Sequence, residues 1–484
     1  MLFNSYGFIF IFFPVVFYVY FYLHDKKLIR TGKAWLTGSS FFFYAWWNPI
    51  YLPLLLFSIS VNYFIGLRFA QNTNSKIRNL FLTTGIIFNL VLLGYFKYTN
   101  FFISNINSLL GSEISLVHLI LPLGISFFTF SQIAYLADCC KGKSTETDFL
   151  NYALFVSFFP KMIQGPIARY DEIAPQFMNP QNNGKNYTNM ATALFVFAIG
   201  LFKKVFIADN LADWANHGFD TAKHLSFLAA WATSLSYTLQ LYFDFSGYTD
   251  MAIGIALMFN ISLPANFNSP YQSVSIQDFW RRWHITLSCF LRDYIYIPLG
   301  GNRRGKLRTY LNILVTFLLG GIWHGAGWTF IFWGILHGLA LSVNRIWQNL
   351  GFKINTALSW FITFNFVNLA WVFFRAKEWK DALKVLKGMF GLTGIVLPPA
   401  LQPRLAFLAD SGVVFGDMFP DFNNWRHMIL YLSICIPVVF LAKNSGQFKE
   451  RFQPTLQTAI ITAVLLSAGL LSFFHAKQFI YEYF

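Results

Sequence analysis

Long uncharged apolar runs alternate with short polar connections along this chain, and the alternation predicts its elements. Candidate spans fall near 7–23, 36–47, 50–68, 80–96, 116–138, 149–163, 190–207, 226–258, 309–344, 358–375, 429–443 and 456–474. About twenty apolar residues suffice for a helix to cross a bilayer. The 226–258 and 309–344 runs exceed one crossing and several others fall short, so breaks and re-entrant pieces are expected. Continuous apolar runs, rather than alternating ones, argue against a β-barrel. The connections 164–189, 261–308 and 392–428 are too short for a second domain of ordinary size. The expected fold is an all-α polytopic membrane protein, with residues 1–484 as one membrane domain. No internal repeat supports an inverted-repeat transporter.

Composition sharpens this picture. Of 484 residues, 56% are hydrophobic and 12% charged, about half the charged share of a soluble domain. The net charge of +15 would suggest nucleic acid in a soluble protein. Here it reads as loops held on the cytoplasmic side by Lys and Arg. The first thirty residues lack a basic n-region and a cleavage site, so they read as a retained span. Lys26, Lys27, Arg30 and Lys33 follow that span and put its far end inside and the N-terminus outside. Cys139, Cys140, Cys289 and Cys435 show no metal-ligand or disulfide spacing, so neither is expected.

The segment 278–308 breaks the apolar pattern, with seven basic residues, two acids and one histidine. Ser275 and Asp278 form a helix-start signal, and Pro298, Gly300 and Gly301 a stop. Between them the spacing predicts one amphipathic helix of about twenty residues. Asp278, Arg281, Arg282, Arg292 and Asp293 share its polar arc, Trp280, Trp283, Leu287, Phe290, Leu291 and Tyr294 the apolar one, and His284 the seam. One reading is an interfacial anchor. The other is a site in which these arginines, with Arg303, Arg304, Lys306 and Arg308, grip the phosphates of a nucleotide such as coenzyme A.

Residues 309–344 contain no Asp, Glu, Lys or Arg. A single straight helix of that length would outrun the hydrocarbon core, so Gly320, Gly321, Gly325 and Gly327 mark a break. His324 sits at the break, where an imidazole needs a polar partner or a wet cavity and is a ready general base. His337 lies thirteen residues further on; without a fold-back it is out of reach and reads as a packing residue. Asp244 and Asp250 flank Gly247 in another over-long run. They mark either a helix break or the polar lining of a tunnel.

Four stretches, "FFPKMIQGPIARY", "LYFDFSGYTDMAIGIA", "FWRRWHITLSCFLRDYIYIPLGGNR" and "GGIWHGAGWTFIFWG", resemble the membrane-bound O-acyltransferases (MBOAT superfamily). The resemblance is greatest to the bacterial alginate and peptidoglycan O-acetyltransferase branch. It implies about eleven transmembrane helices with re-entrant and interfacial pieces around a central funnel. It implies His324 as the catalytic histidine and His284 as the second, orienting groups or stabilising the oxyanion. The implied donor is cytoplasmic acetyl-CoA, whose phosphates the basic patch read above would hold through Arg281, Arg292, Arg303 and Arg304; no bound metal or cofactor is expected. A periplasmic SGNH-type protein would finish the transfer to a polysaccharide such as peptidoglycan or alginate. The implied location is the bacterial inner membrane, with membrane lipids as neighbours and no nucleic acid. The tail "HAKQFIYEYF" resembles an aromatic terminus of the same branch and implies Tyr481 as an acyl carrier, although Glu482 replaces a more usual aromatic residue. A transporter or flippase for a lipid- or sugar-linked carrier is the alternative.

Overall fold

The 226–258 run forms one unbroken helix, Phe227–Met258, in which almost every side chain from Ser236 to Leu257 is buried. The coordinates are a computed structural model that describes residues 1–143 and 145–475. Of the two readings of Asp244 and Asp250, a helix break at Gly247 is excluded by this unbroken helix. Gly247 instead lets the Tyr187–Leu201 helix approach: a Cβ there would lie 2.8 Å from the Gly200 carbonyl oxygen. Gly254 meets Ala193 in the same way, one repeat further along. The two aspartates are neutralised from the π-helical turn Phe202–Ala208, which follows directly. Lys203 Nζ lies 2.8 Å from Asp250, and Lys204 Nζ lies 2.5 Å from Asp244 and 2.7 Å from Asp209. Buried charges persist when paired and hydrogen-bonded, so neither carboxylate forces this helix to end.

Six elements among the described residues are long and apolar enough to cross a membrane. One is the Ser75–Leu110 helix, started by Asn74 accepting from Lys76 N and ended at Gly111, whose φ is +64°. It runs fourteen residues past the 80–96 segment and carries Lys97 and Tyr98 inward. The 116–138 run departs from expectation. It is irregular as far as Gly124, and its helix is Ile125–Cys140. Pro122 and Gly124 (φ +66°) stop a longer helix from forming.

The 309–344 run breaks once and folds back. Helices Lys306–His324 and Trp328–Asn349 are joined by Gly325–Ala326–Gly327. Gly320 and Gly321 do not mark the break, because they lie inside the first helix. Gly321 instead lets the hairpin close: a Cβ there would lie 2.4 Å from the Phe330 carbonyl oxygen and 3.1 Å from Gly334 Cα. A three-residue parallel pairing, Ile395–Leu397 with Val413–Phe415, decorates the 392–428 connection.

Candidate active site

The last turn of the Lys306–His324 helix leaves carbonyls without intrahelical partners. The Ser75–Leu110 helix supplies the donors. Tyr98 Oη donates to Ile322 O at 2.6 Å, and Lys97 Nζ donates to Trp323 O at 2.6 Å and His324 O at 3.1 Å. Lys97 is thus a half-buried donor whose hydrogen bonds go to a helix C-terminus, where basic side chains are favoured. His324 is 3% exposed, with its ring packed edge-on against Trp323, Trp333 and Phe374.

His284 reaches the same place from the other strongly polar segment. The expected continuous helix is two short ones, Ile276–Arg282 and Ile285–Leu291, followed by a π turn, Arg292–Tyr296. His284 forms the corner at φ +43°, a left-handed conformation that costs a non-glycine residue energy and recurs at functional sites. Asn266 holds the corner. Its carbonyl accepts from Ile285 N at 3.0 Å, and its Oδ1 accepts from Thr286 Oγ1 at 3.0 Å and Thr286 N at 3.3 Å. That Oδ1 also lies 3.0 Å from His284 Nδ1, so Nδ1 carries the proton and Nε2 keeps the lone pair. Nε2 is buried and makes no hydrogen bond among the described residues. The amphipathic pattern did hold at the start: Ser275 Oγ accepts from Asp278 N at 3.1 Å. Trp280 and Trp283 are buried in the protein rather than at a lipid interface.

One tryptophan separates the two histidines. The Trp323 ring is 4.9 Å from that of His324 and 6.2 Å from that of His284. The fold-back also corrects the expected isolation of His337, since Trp333 packs against His324 at 5.1 Å and against His337 at 4.7 Å. His337 keeps a packing role and accepts from the Trp280 indole N–H at 3.1 Å.

Two cavities approach this layer. The smaller, about 140 Å³, is lined by His324, Trp323, Lys97, Ser126, Gln164 and neighbours. The larger, about 780 Å³, is lined by Trp280, Arg281, Arg292, Thr316, Phe317, Arg345 and others, none of them acidic. Along the Lys306–His324 helix the larger lining stops at Phe317 and the smaller begins at Trp323, roughly 9 Å of rise. The structure therefore brings Arg281 and Arg292 to one cavity, whose lining includes Ile285, next to His284, but no histidine. Arg303 and Arg304 stay in the exposed loop beyond its lining. Arg292 is partly engaged, with Nε 2.6 Å from Asp293 Oδ1 and Nη2 3.0 Å from Oδ2, while Arg169 also grips Asp293. Burial alone would raise the Asp293 carboxyl, but hydrogen bonds and charge from Arg292 and Arg169 hold it below the usual carboxylate range.

Lys97 and Arg345 were not anticipated. Lys97 carried a signal, being the lone charge in an apolar stretch after Arg78. Arg345 directly follows the uncharged 309–344 run and carries no local motif. Tyr481 lies outside the described residues.

A buried imidazole at a small cavity suits proton removal from a hydroxyl. The profile of the membrane-bound O-acyltransferase family matches residues 81–377, a span holding both histidines, Lys97 and the arginine cavity. The chain is 49% identical over 521 aligned positions to the peptidoglycan O-acetyltransferase of Helicobacter pylori, covering 100% of this chain and 97% of that one. It is 42% identical over 397 positions to the probable alginate O-acetylase of Pseudomonas aeruginosa, covering 81% and 75%. The teichoic acid D-alanyltransferase of Bacillus subtilis is 28% identical over 54% and 70%. A carrier flippase has no counterpart among these relatives. The site and its relatives agree: this chain, a multi-pass membrane acyltransferase, belongs to the membrane-bound O-acyltransferase family.

Proposed function

We propose that the protein moves acetyl from cytoplasmic acetyl-CoA across the bacterial inner membrane for O-acetylation of an external polysaccharide, completed by a periplasmic SGNH-type partner. The observation that carries this reading is His324 on the small cavity, with the acid-free, arginine-lined cavity approaching from the basic side. Basic loops remain cytoplasmic, which suits a donor bearing phosphates. Arg281 and Arg345 fit that donor best, because neither has an acidic partner among the described residues. The full-length similarity to a peptidoglycan enzyme favours peptidoglycan as the acceptor.

In this reading His324 takes the proton of the acceptor hydroxyl as its oxygen attacks the thioester carbonyl. The tetrahedral intermediate collapses, the C–S bond breaks, and the departing sulfur of coenzyme A takes up the proton. With Nδ1–H committed to Asn266, His284 offers a lone pair, so it orients a donor group and is poorly suited to holding an oxyanion. The test is release of free coenzyme A by purified protein given acetyl-CoA and acceptor, together with ester-linked acetate on muropeptides of the host. Release with both present supports the reading; intact thioester, or normal muropeptide acetylation in cells lacking the protein, would overturn it.

Tyr481 enters this proposal from the sequence alone. A phenol ionises near pH 10, more readily than a sugar hydroxyl, and its acetyl ester is a good donor to a partner serine. Tyr481→Phe keeps the aromatic surface and removes the oxygen. The expected result is loss of polymer acetylation and of any acetylated C-terminal peptide by mass spectrometry. Full acetylation in Tyr481→Phe would remove the carrier role.

A further inference from the structure

Away from the histidines, a cleft of about 510 Å³ opens between the Tyr187–Leu201, Trp425–Leu441 and Leu456–Leu471 helices. Its walls are apolar, including Phe195, Ile199, Phe202, Val438, Ile461 and Leu465. Of these, Val438 and Ile461 are exposed. Neither His284 nor His324 lines this trough.

One end of the cleft is basic. Lys203, Lys443 and Arg451 belong to its lining, and no acid does. Lys203 is already neutralised, with Nζ 2.8 Å from Asp250 Oδ2 and 3.2 Å from Ser445 Oγ. Lys443 and Arg451 are exposed and have neither a carboxylate nor a hydrogen-bond partner among the described residues. Asn444 fixes this end by donating to Asn268 Oδ1 at 2.9 Å and Ser269 Oγ at 3.0 Å. The basic end therefore adjoins the connection that leads into the arginine-bearing corner.

We infer that the cleft binds an anionic glycerophospholipid of the surrounding bilayer. An acyl chain lies along the Phe195–Ile461 wall, and the headgroup phosphate sits between Lys443 and Arg451. The combination selects the occupant. An apolar trough facing hydrocarbon excludes a water-soluble anion from its length. Two uncompensated cations at the interfacial end favour an anionic over a zwitterionic headgroup. Long basic side chains reach such headgroups while their stems stay on apolar surface.

The test uses the full chain in a neutral detergent, with melting followed by fluorescence-detected size exclusion. Dioleoylphosphatidylglycerol, dioleoylphosphatidylcholine and inorganic phosphate are titrated separately. Phosphatidylglycerol should raise the melting temperature at lower concentration than phosphatidylcholine, and phosphate should do nothing. In Lys443→Gln/Arg451→Gln the phosphatidylglycerol midpoint should weaken by about fivefold per cation removed, the ordinary worth of a basic side chain at an anionic lipid surface. Equal response to both lipids, an equal response to phosphate alone, or an unchanged preference in the double variant overturns the inference. If the double variant is not monodisperse, Ile461→Trp, which fills the trough from the bilayer side, takes its place. Loss of the phosphatidylglycerol preference there supports the site, and its retention overturns it.

Discussion

Lys97 donates to two carbonyls at the end of a helix, and that choice of partner sets its role. Hydrogen bonds to Trp323 O and His324 O fix the turn from which the His324 imidazole projects. Lys97→Met keeps most of the volume and removes those bonds. Losing a hydrogen bond costs about 0.5–1.5 kcal/mol before relaxation, so a lower melting temperature is expected. The more telling expectation is kinetic. A displacement of about 1 Å at a reacting group can cost roughly 100-fold in rate, so kcat should fall while KM for acetyl-CoA stays near normal. Lys97→Arg should restore part of kcat. Wild-type kcat in Lys97→Met would show that the turn holds without it. Both histidines were legible from motif context and from the polar cost of an imidazole in an apolar run. Lys97 was not, because its partners lie 226 and 227 residues away and no local pattern points to them.

At the scale of elements, the corner at His284 depends on what surrounds it. The arc shared by Asp278, Arg281, Arg292 and Asp293 fits a straight helix equally well, so the chain pattern alone concealed the bend. Asn266 supplies the capping oxygen, and Arg169 and Arg292 converge on Asp293 in the turn beyond. The lowered Asp293 carboxyl gives this element a pH signature. Its stabilisation is complete above the ordinary carboxylate range near pH 4 and is lost as pH falls through the depressed folded value. Asp293→Asn should therefore lower stability at pH 7 by about 1 kcal/mol, allowing for solvent screening of a partly exposed pair. Once pH has fallen below that depressed value, the variant and the parent should converge. Melting curves of detergent-solubilised protein across pH check this, and a constant difference at all pH values would contradict it. The break at Gly325–Gly327 was legible from glycine content and run length. The intact Phe227–Met258 helix was not, because the cations that neutralise Asp244 and Asp250 belong to a different run.

For the whole molecule, run lengths and the scarcity of charge were enough to predict a helical membrane protein, and the motifs to predict its family. The depth of each cavity was not readable, because it follows from how a hairpin, a bent segment and a distant long helix meet. That meeting separates two kinds of arginine. Arg281 and Arg345 line the larger cavity, whereas Arg303 and Arg304 lie outside it. Charge reversal at Arg281 or Arg345 should raise KM for acetyl-CoA about tenfold or more, the worth of one charge-assisted bond, with a smaller effect on kcat. Arg303→Glu and Arg304→Glu should do less. Equal effects at all four positions would indicate a diffuse surface potential rather than a donor site. The central proposal, that His324 on the smaller cavity is the general base, is tested most directly by the rate of coenzyme A release from acetyl-CoA in the presence of acceptor. Purified His324→Ala should be as monodisperse as the parent and roughly 10² to 10⁴ slower, the usual loss on removing a general base; a rate close to that of the parent would contradict the account.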